Sequence, residues 1–165
     1  MGMELTDQGN LVVEMTALWI TGNASAALEI AETRLDSFPG WGVAQCGVLY
    51  SLAGQGEKAI EMANKALSIR RGPVVLERVA RISYLEGMYQ DAEEFCEQAL
   101  NLSPGFTGVR LLLGNTLWQS GRHREALGEY LTIRDSGMPL PGYILDRIAF
   151  AEELSIIQEE GSSCP

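Results

Sequence analysis

A pattern of small residues recurs along this chain at a nearly fixed interval. The alanines Ala27, Ala59, Ala92 and Ala126 take the same place in four amphipathic segments, and 32, 33 and 34 residues separate them. A glycine-containing turn opens the clearest of these segments, at Gly54–Leu67. A period of this length is typical of repeat proteins whose helix-turn-helix units stack, because one unit cannot bury its apolar face alone. The recurrence predicts an all-α repeat fold.

Apolar residues at helical spacing, separated by glycine and proline turns, divide the chain into four units. The predicted units are residues 8–39, 40–72, 73–105 and 106–140, followed by a single amphipathic helix at residues 142–160. We expect that helix to cap the array with Ile144, Ile148, Ala151 and Ile157, and to turn Arg147 and its acidic residues to water. Residues 1–160 are assigned to one domain, and residues 161–165 to a disordered tail.

The charge of the chain narrows the classes of partner. Its formal net charge is -10 and its estimated pI is about 4.5, which argues against phosphate backbones and anionic lipid surfaces. The sequence contains no apolar stretch of the roughly 20 residues that span a bilayer, and its acidic start is unlike a secretory signal. Three widely spaced cysteines, Cys46, Cys96 and Cys164, indicate a reduced chain and a cytoplasmic location.

Residues that carry chemistry are sparse. The single histidine, His123, stands between Arg122 and Arg124, where it is a poor base and cannot hold a metal alone. An acidic cluster of Asp91, Glu93, Glu94 and Glu97 is interpreted as the solvated face of a helix. The sequence therefore predicts no catalytic site, no cofactor and no metal, and an enzyme is the lowest-ranked hypothesis.

The units resemble the tetratricopeptide repeat, whose pattern is W-x-x-L-G-x-x-Y, then A-x-x-x-F, then proline. The second unit carries Cys46-Gly47-x-x-Tyr50 and Ala59-x-x-x-Ala63, and the fourth carries Leu113-Gly114-x-x-Leu117 and Ala126-x-x-x-Tyr130. The first and third units keep the alanine and the proline, but have Met15 and Ala80 at the glycine position. The resemblance covers about residues 8–140 and implies a right-handed superhelical solenoid of antiparallel helix pairs.

In this family the first helices of successive units line a concave groove. The resemblance thus implies a non-enzymatic interaction module, an adaptor or a chaperone-like protein, that binds a peptide segment of a partner protein in this groove. The groove residues that helical spacing selects are Val12, Thr16, Trp19, Trp41, Val48, Leu52, Glu77, Arg81, Tyr84, Leu111, Asn115 and Trp118. Three of these, Trp19, Tyr84 and Trp118, fit packing between units equally well.

Two alternatives concern the use of this surface. Some members of the family hold an acidic C-terminus with a clamp of Lys, Arg and Asn, but Val12 and Thr16 stand where its first Lys and Asn are expected. Only Arg78, Arg81 and Asn115 remain for such a clamp, so the sequence does not match it. A self-assembling scaffold, which would oligomerise through the groove or through the ends of the solenoid, is the second hypothesis.

Overall fold

The computed structural model describes the backbone of residues 2–161 and the side chains of residues 7–152, and within these ranges every regular element is a helix. This confirms the all-α prediction. The α-helices are α1 (Gly2–Ile20), α2 (Ala24–Thr33), α3 (Gly40–Leu52), α4 (Gly56–Ile69), α5 (Pro73–Leu85), α6 (Tyr89–Leu102), α7 (Thr107–Gln119), α8 (His123–Asp135) and α9 (Gly142–Gly161).

Local sequence explains where these helices begin and end. Pro73 is the first residue of α5, where its missing N–H is not needed and its fixed φ suits the helix. Between α3 and α4 the chain turns at Gly54, whose φ of +73° is a conformation that only glycine adopts readily. A short 3-10 turn at Leu35–Ser37 follows α2.

The chain divides into two compact units, Met1–Pro104 with α1–α6 and Gly105–Pro165 with α7–α9, and each is described by itself. In the first unit α1 pairs with α2, α3 with α4 and α5 with α6, and α3 also packs on α5. The recurring alanines of this unit, Ala27, Ala59 and Ala92, are fully buried. They lie where helices pack closely, as predicted. The assignment of residues 1–160 to one domain stays a prediction.

Two glycines allow close helix contact. A Cβ atom added at Gly47 would lie 2.6 Å from Cδ1 of Ile82 and 3.1 Å from the carbonyl oxygen of Ala59. A Cβ atom at Gly114 would overlap the ring of Tyr130. Any larger side chain at either position must displace a neighbour. This explains the glycine at this place in the second and fourth repeats of the sequence, residues 40–72 and 106–140.

The second compact unit, Gly105–Pro165, contains α7, α8 and α9, and α9 packs on α8. Ile144 and Ile148 are buried, as predicted for a capping helix. The expectation that Arg147 faces water is wrong, because the residue is half-buried and its guanidinium lies over the ring of Trp118. The side chain of Ile157 and the tail predicted at residues 161–165 lie outside the part of the chain whose side chains the structure describes.

Candidate peptide-binding groove

In the first compact unit, Met1–Pro104, an open pocket of about 340 Å³ lies beside the first helix of each helix pair. We call this pocket the N-terminal groove. Its walls come from α1, α3 and α5: Val12, Val13, Thr16, Ala17, Ile20, Trp41, Gln45 and Arg78. Val13 and Ile20 are 66% and 78% exposed. Large apolar side chains exposed beside one another in a concave surface are typical of a binding site rather than of a solvated face.

Helical spacing on α1 places the apolar wall. Val12, Thr16 and Ile20 follow one another at intervals of four residues, and Val13 and Ala17 form the neighbouring row. The hydroxyl of Thr16 donates a hydrogen bond to the carbonyl oxygen of Val12 at 2.8 Å. Because that hydroxyl is already satisfied within the helix, α1 presents a largely apolar wall to the groove.

The opposite wall of the groove is polar and carries positive charge. Nε of Arg78 donates to Oε1 of Gln45 at 3.0 Å, and the Arg78 guanidinium lies 5.9 Å from the Trp41 ring centre. Both Arg78 and Arg81 pair with Glu77, whose side chain is 8% exposed. One carboxylate between two guanidinium groups leaves a net positive charge here. Burial lowers the pKa of Arg78, while the Glu77 carboxylate acts in the opposite direction.

The structure brings only part of the predicted groove set together. Thr16 and Trp41 line the N-terminal groove, and Val12 does so with only 3% of its surface exposed. Val48 and Glu77 are buried and offer no open surface to a ligand. The groove lining also includes Val13, Ala17 and Gln45, which the sequence prediction omits. Their position in the sequence could have identified them, because each lies within one helical turn of a predicted groove residue.

Other predicted groove residues of the first unit lie outside this pocket. Trp19 is partly buried and packs against the apolar core. Leu52 is 50% exposed, at the end of α3. Tyr84 is half-buried, and its ring centre lies 5.9 Å from that of Tyr89. Trp19 therefore has the packing role that the sequence left open.

In the second unit, α9 engages the predicted groove residues of α7. Oδ1 of Asn115 accepts hydrogen bonds from Nη1 of Arg147 at 2.9 Å and from the hydroxyl of Tyr130 at 3.0 Å. The Trp118 ring contacts Arg147 and also His123, whose ring centre is 4.4 Å away. Leu111 is half-buried. Asn115 and Trp118 thus serve the packing of α9.

The two described cysteines, Cys46 and Cys96, are poorly suited to nucleophilic catalysis. Burial raises the pKa of the Cys46 and Cys96 thiols to about 12, so both stay protonated at neutral pH and are weak nucleophiles. Among the described residues, no three His, Cys, Asp or Glu side chains group as metal ligands would. None of the described helices combines the length and apolar character needed to cross a bilayer.

Comparisons with known proteins identify the fold. Residues 83–137 match the family model described as tetratricopeptide repeat. Similar solved structures include PilF of Pseudomonas aeruginosa, with 19% identity and a TM-score of 0.68 over 79% of this chain and 62% of that one. MamA has 20% identity and a TM-score of 0.66 over 88% and 86% of the two chains. YrrB has 17% identity and a TM-score of 0.56 over 76% and 66%.

These likenesses differ in what they support. Identities this low establish a shared fold and not a shared partner, and the chain spans less than two thirds of the length of PilF. No curated protein matched the sequence. The family match covers α6, α7 and α8 with the end of α5, and the helix pairs that precede it have the same construction. The chain therefore has the fold of tetratricopeptide repeat proteins, and residues 83–137 match the model of that family.

Proposed function

We propose that this protein is a non-enzymatic interaction module that holds an apolar peptide segment of a partner protein in the N-terminal groove. The observation that carries the proposal is the exposed wall of α1, where Val13 and Ile20 stand at 66% and 78% exposure beside a pocket of about 340 Å³. That volume lies within the ~300–1,000 Å³ of typical ligand pockets. A partner's Leu or Phe side chain would remove this surface from water.

The apolar wall and the polar wall of the groove contribute differently to peptide binding. Burial of apolar surface against Val13, Ile20 and Trp41 supplies affinity, at about 25 cal/mol per Å². Arg78 and Gln45 supply orientation, because a guanidinium and an amide can hydrogen-bond a peptide carbonyl or carboxylate. Ordering the peptide offsets most of the apolar gain, so we expect micromolar affinity, about -8 kcal/mol.

A further finding supports a peptide ligand. YrrB, which shares the fold, is described as a TPR protein with an unusual peptide-binding site, so a peptide site is compatible with this architecture. An adaptor or chaperone-like role in the cytoplasm is the form of this function that we propose.

The test starts from a peptide selected against the protein from a random display library and then synthesised with a fluorescent label. Ile20→Asp and Val13→Asp should each weaken its binding at least tenfold, because each puts a charge on the apolar wall. Leu102→Asp is the matched control, since Leu102 is 59% exposed and lies on α6, away from the groove. Melting curves establish that all variants fold. Equal binding by all three variants would overturn the proposal.

Self-assembly is the second candidate, and the exposed side of α9 favours it. Leu145 and Phe150 are 49% and 56% exposed on this helix, and an apolar helix face can take a second copy of the chain. Light scattering over a range of concentrations tests this. A mass that rises with concentration in the wild type, and stays constant in Phe150→Glu, would support assembly through α9.

A further inference from the structure

A second pocket, separate from the N-terminal groove, lies between α4 and α6 and has a volume of about 280 Å³. We call it the α4–α6 pocket. Its sides are formed by Ile60 and Leu67 of α4 and Phe95 of α6. Val79 and Ile82 of α5 form its deepest part, since both are only 1% exposed. The interior is thus apolar and open to one side.

One hydroxyl group, that of Ser83, lines this apolar pocket. Ser83 lines the pocket and is only 4% exposed, yet its hydroxyl makes no hydrogen bond with any described residue. The helical hydroxyls of Thr16 and Thr116 each donate to the carbonyl oxygen four residues earlier, at 2.8 Å. The Ser83 hydroxyl therefore keeps its donor and acceptor positions available to a group that enters the pocket.

The mouth of the pocket is acidic. Asp91 and Glu94 line it from α6, are exposed, and form no ion pair with any described residue. The whole chain carries a formal net charge of -10. A second copy of the chain would bring the same negative charge, and an anionic lipid surface would be repelled as well. The occupant with complementary charge is a basic segment of another protein.

We propose that the α4–α6 pocket binds a lysine- or arginine-rich segment of a partner protein, which inserts one tyrosine or tryptophan side chain between the two helices. The volume of about 280 Å³ is just below the ~300 Å³ at which small-molecule pockets begin, and suits a single large side chain. Tyrosine and tryptophan combine an apolar body with a polar tip. The tip hydrogen-bonds the Ser83 hydroxyl, and the flanking cations pair with Asp91 and Glu94.

The probe is a short synthetic peptide of alanine and lysine with one central tyrosine, labelled with fluorescein and titrated with the full chain at low salt. Wild-type protein should bind it, and the same peptide with alanine in place of tyrosine should bind about tenfold more weakly. The variant Asp91→Asn with Glu94→Gln should lose about tenfold, because two charge-assisted contacts disappear. Ser83→Ala should lose a few-fold.

The matched control removes the same amount of charge elsewhere in the first unit. Glu14→Gln with Glu29→Gln neutralises two exposed carboxylates on α1 and α2 that have no ion-pair partner among the described residues. This control should bind within twofold of the wild type, and melting curves should show that every variant folds. Equal losses in both double variants, equal binding of both peptides, or no binding of the tyrosine peptide would overturn the proposal. None of these results bears on the N-terminal groove.

Discussion

The guanidinium group of Arg147 lies over the indole ring of Trp118, with its carbon 4.7 Å from the ring centre. The same side chain donates from Nη1 to Oδ1 of Asn115 at 2.9 Å and to the hydroxyl of Tyr130 at 3.0 Å. One residue of α9 thus contacts both helices of the last pair. A partly desolvated cation–π contact of this kind contributes about 1–2 kcal/mol. The contacts make α9 an integral part of the second unit.

Replacing Arg147 should destabilise the second unit. Arg147→Met keeps an apolar stem but removes the cation and its hydrogen bonds, and we expect a loss of about 1–3 kcal/mol in the free energy of unfolding. Urea unfolding followed by tryptophan fluorescence measures it. Arg124→Met is the control, because Arg124 is exposed and makes no ion pair with any described residue. If both variants lose the same stability, the Arg147 contacts are not stabilising.

Removing α9 should expose the apolar face that Ile144 and Ile148 cover. Both side chains are buried, so a chain that stops at Pro141 leaves part of α8 uncovered, and the end of a solenoid needs such a cover to stay soluble. We expect a lower melting temperature and concentration-dependent association by light scattering. Unchanged melting and a constant mass after truncation would show that α9 is not a cap.

The close approach at Gly114 can be tested with a paired glycine. A Cβ atom at Gly114 would overlap the Tyr130 ring, so Gly114→Ala should cost about 1–3 kcal/mol of stability. Gly128, in the neighbouring α8, has nothing within 4 Å of its ideal Cβ position. There Gly128→Ala should stabilise by about 0.5–1 kcal/mol through its higher helix propensity. Chemical denaturation of both variants measures the difference, and the same sign for both would contradict the packing argument.

The buried thiols should make folding sensitive to alkaline pH. Burial raises the pKa of Cys46 and Cys96 from 9.0 to about 12, so the stability from their neutral forms is fully present below pH 9. It is lost as the pH rises from 9 to 12, because the unfolded thiols ionise first. Urea midpoints between pH 8 and 11 measure this loss.

A variant isolates the thiol contribution from other alkaline groups. Burial also raises the pKa of Tyr50 to about 12, so some loss of stability remains in any variant that keeps this tyrosine. Cys46→Ala with Cys96→Ala should show a flatter decline than the wild type, even though its stability at pH 7 is lower. Parallel declines would show that the two thiols do not titrate on unfolding.

The sequence by itself determined the helix pairs and their close contacts. Recurring small residues such as Ala59, Ala92 and Gly114 mark the places where helices approach each other, and glycine and proline set the ends of helices locally. These signals depend on neighbours a few residues away and on a fixed period. These signals can therefore be recognised from the sequence alone. The same holds for the buried side of α9.

Only the tertiary structure decided which helix faces stay open. Helical spacing gives the direction of Val48, Glu77 and Trp118 on their own helices, but not which neighbour lies in that direction. Packing buries Val48 and Glu77, and α9 contacts Trp118, whereas Val13 and Ile20 remain exposed. The depth of the N-terminal groove and the unpaired hydroxyl of Ser83 likewise depend on contacts between helices far apart in sequence, which no local pattern encodes.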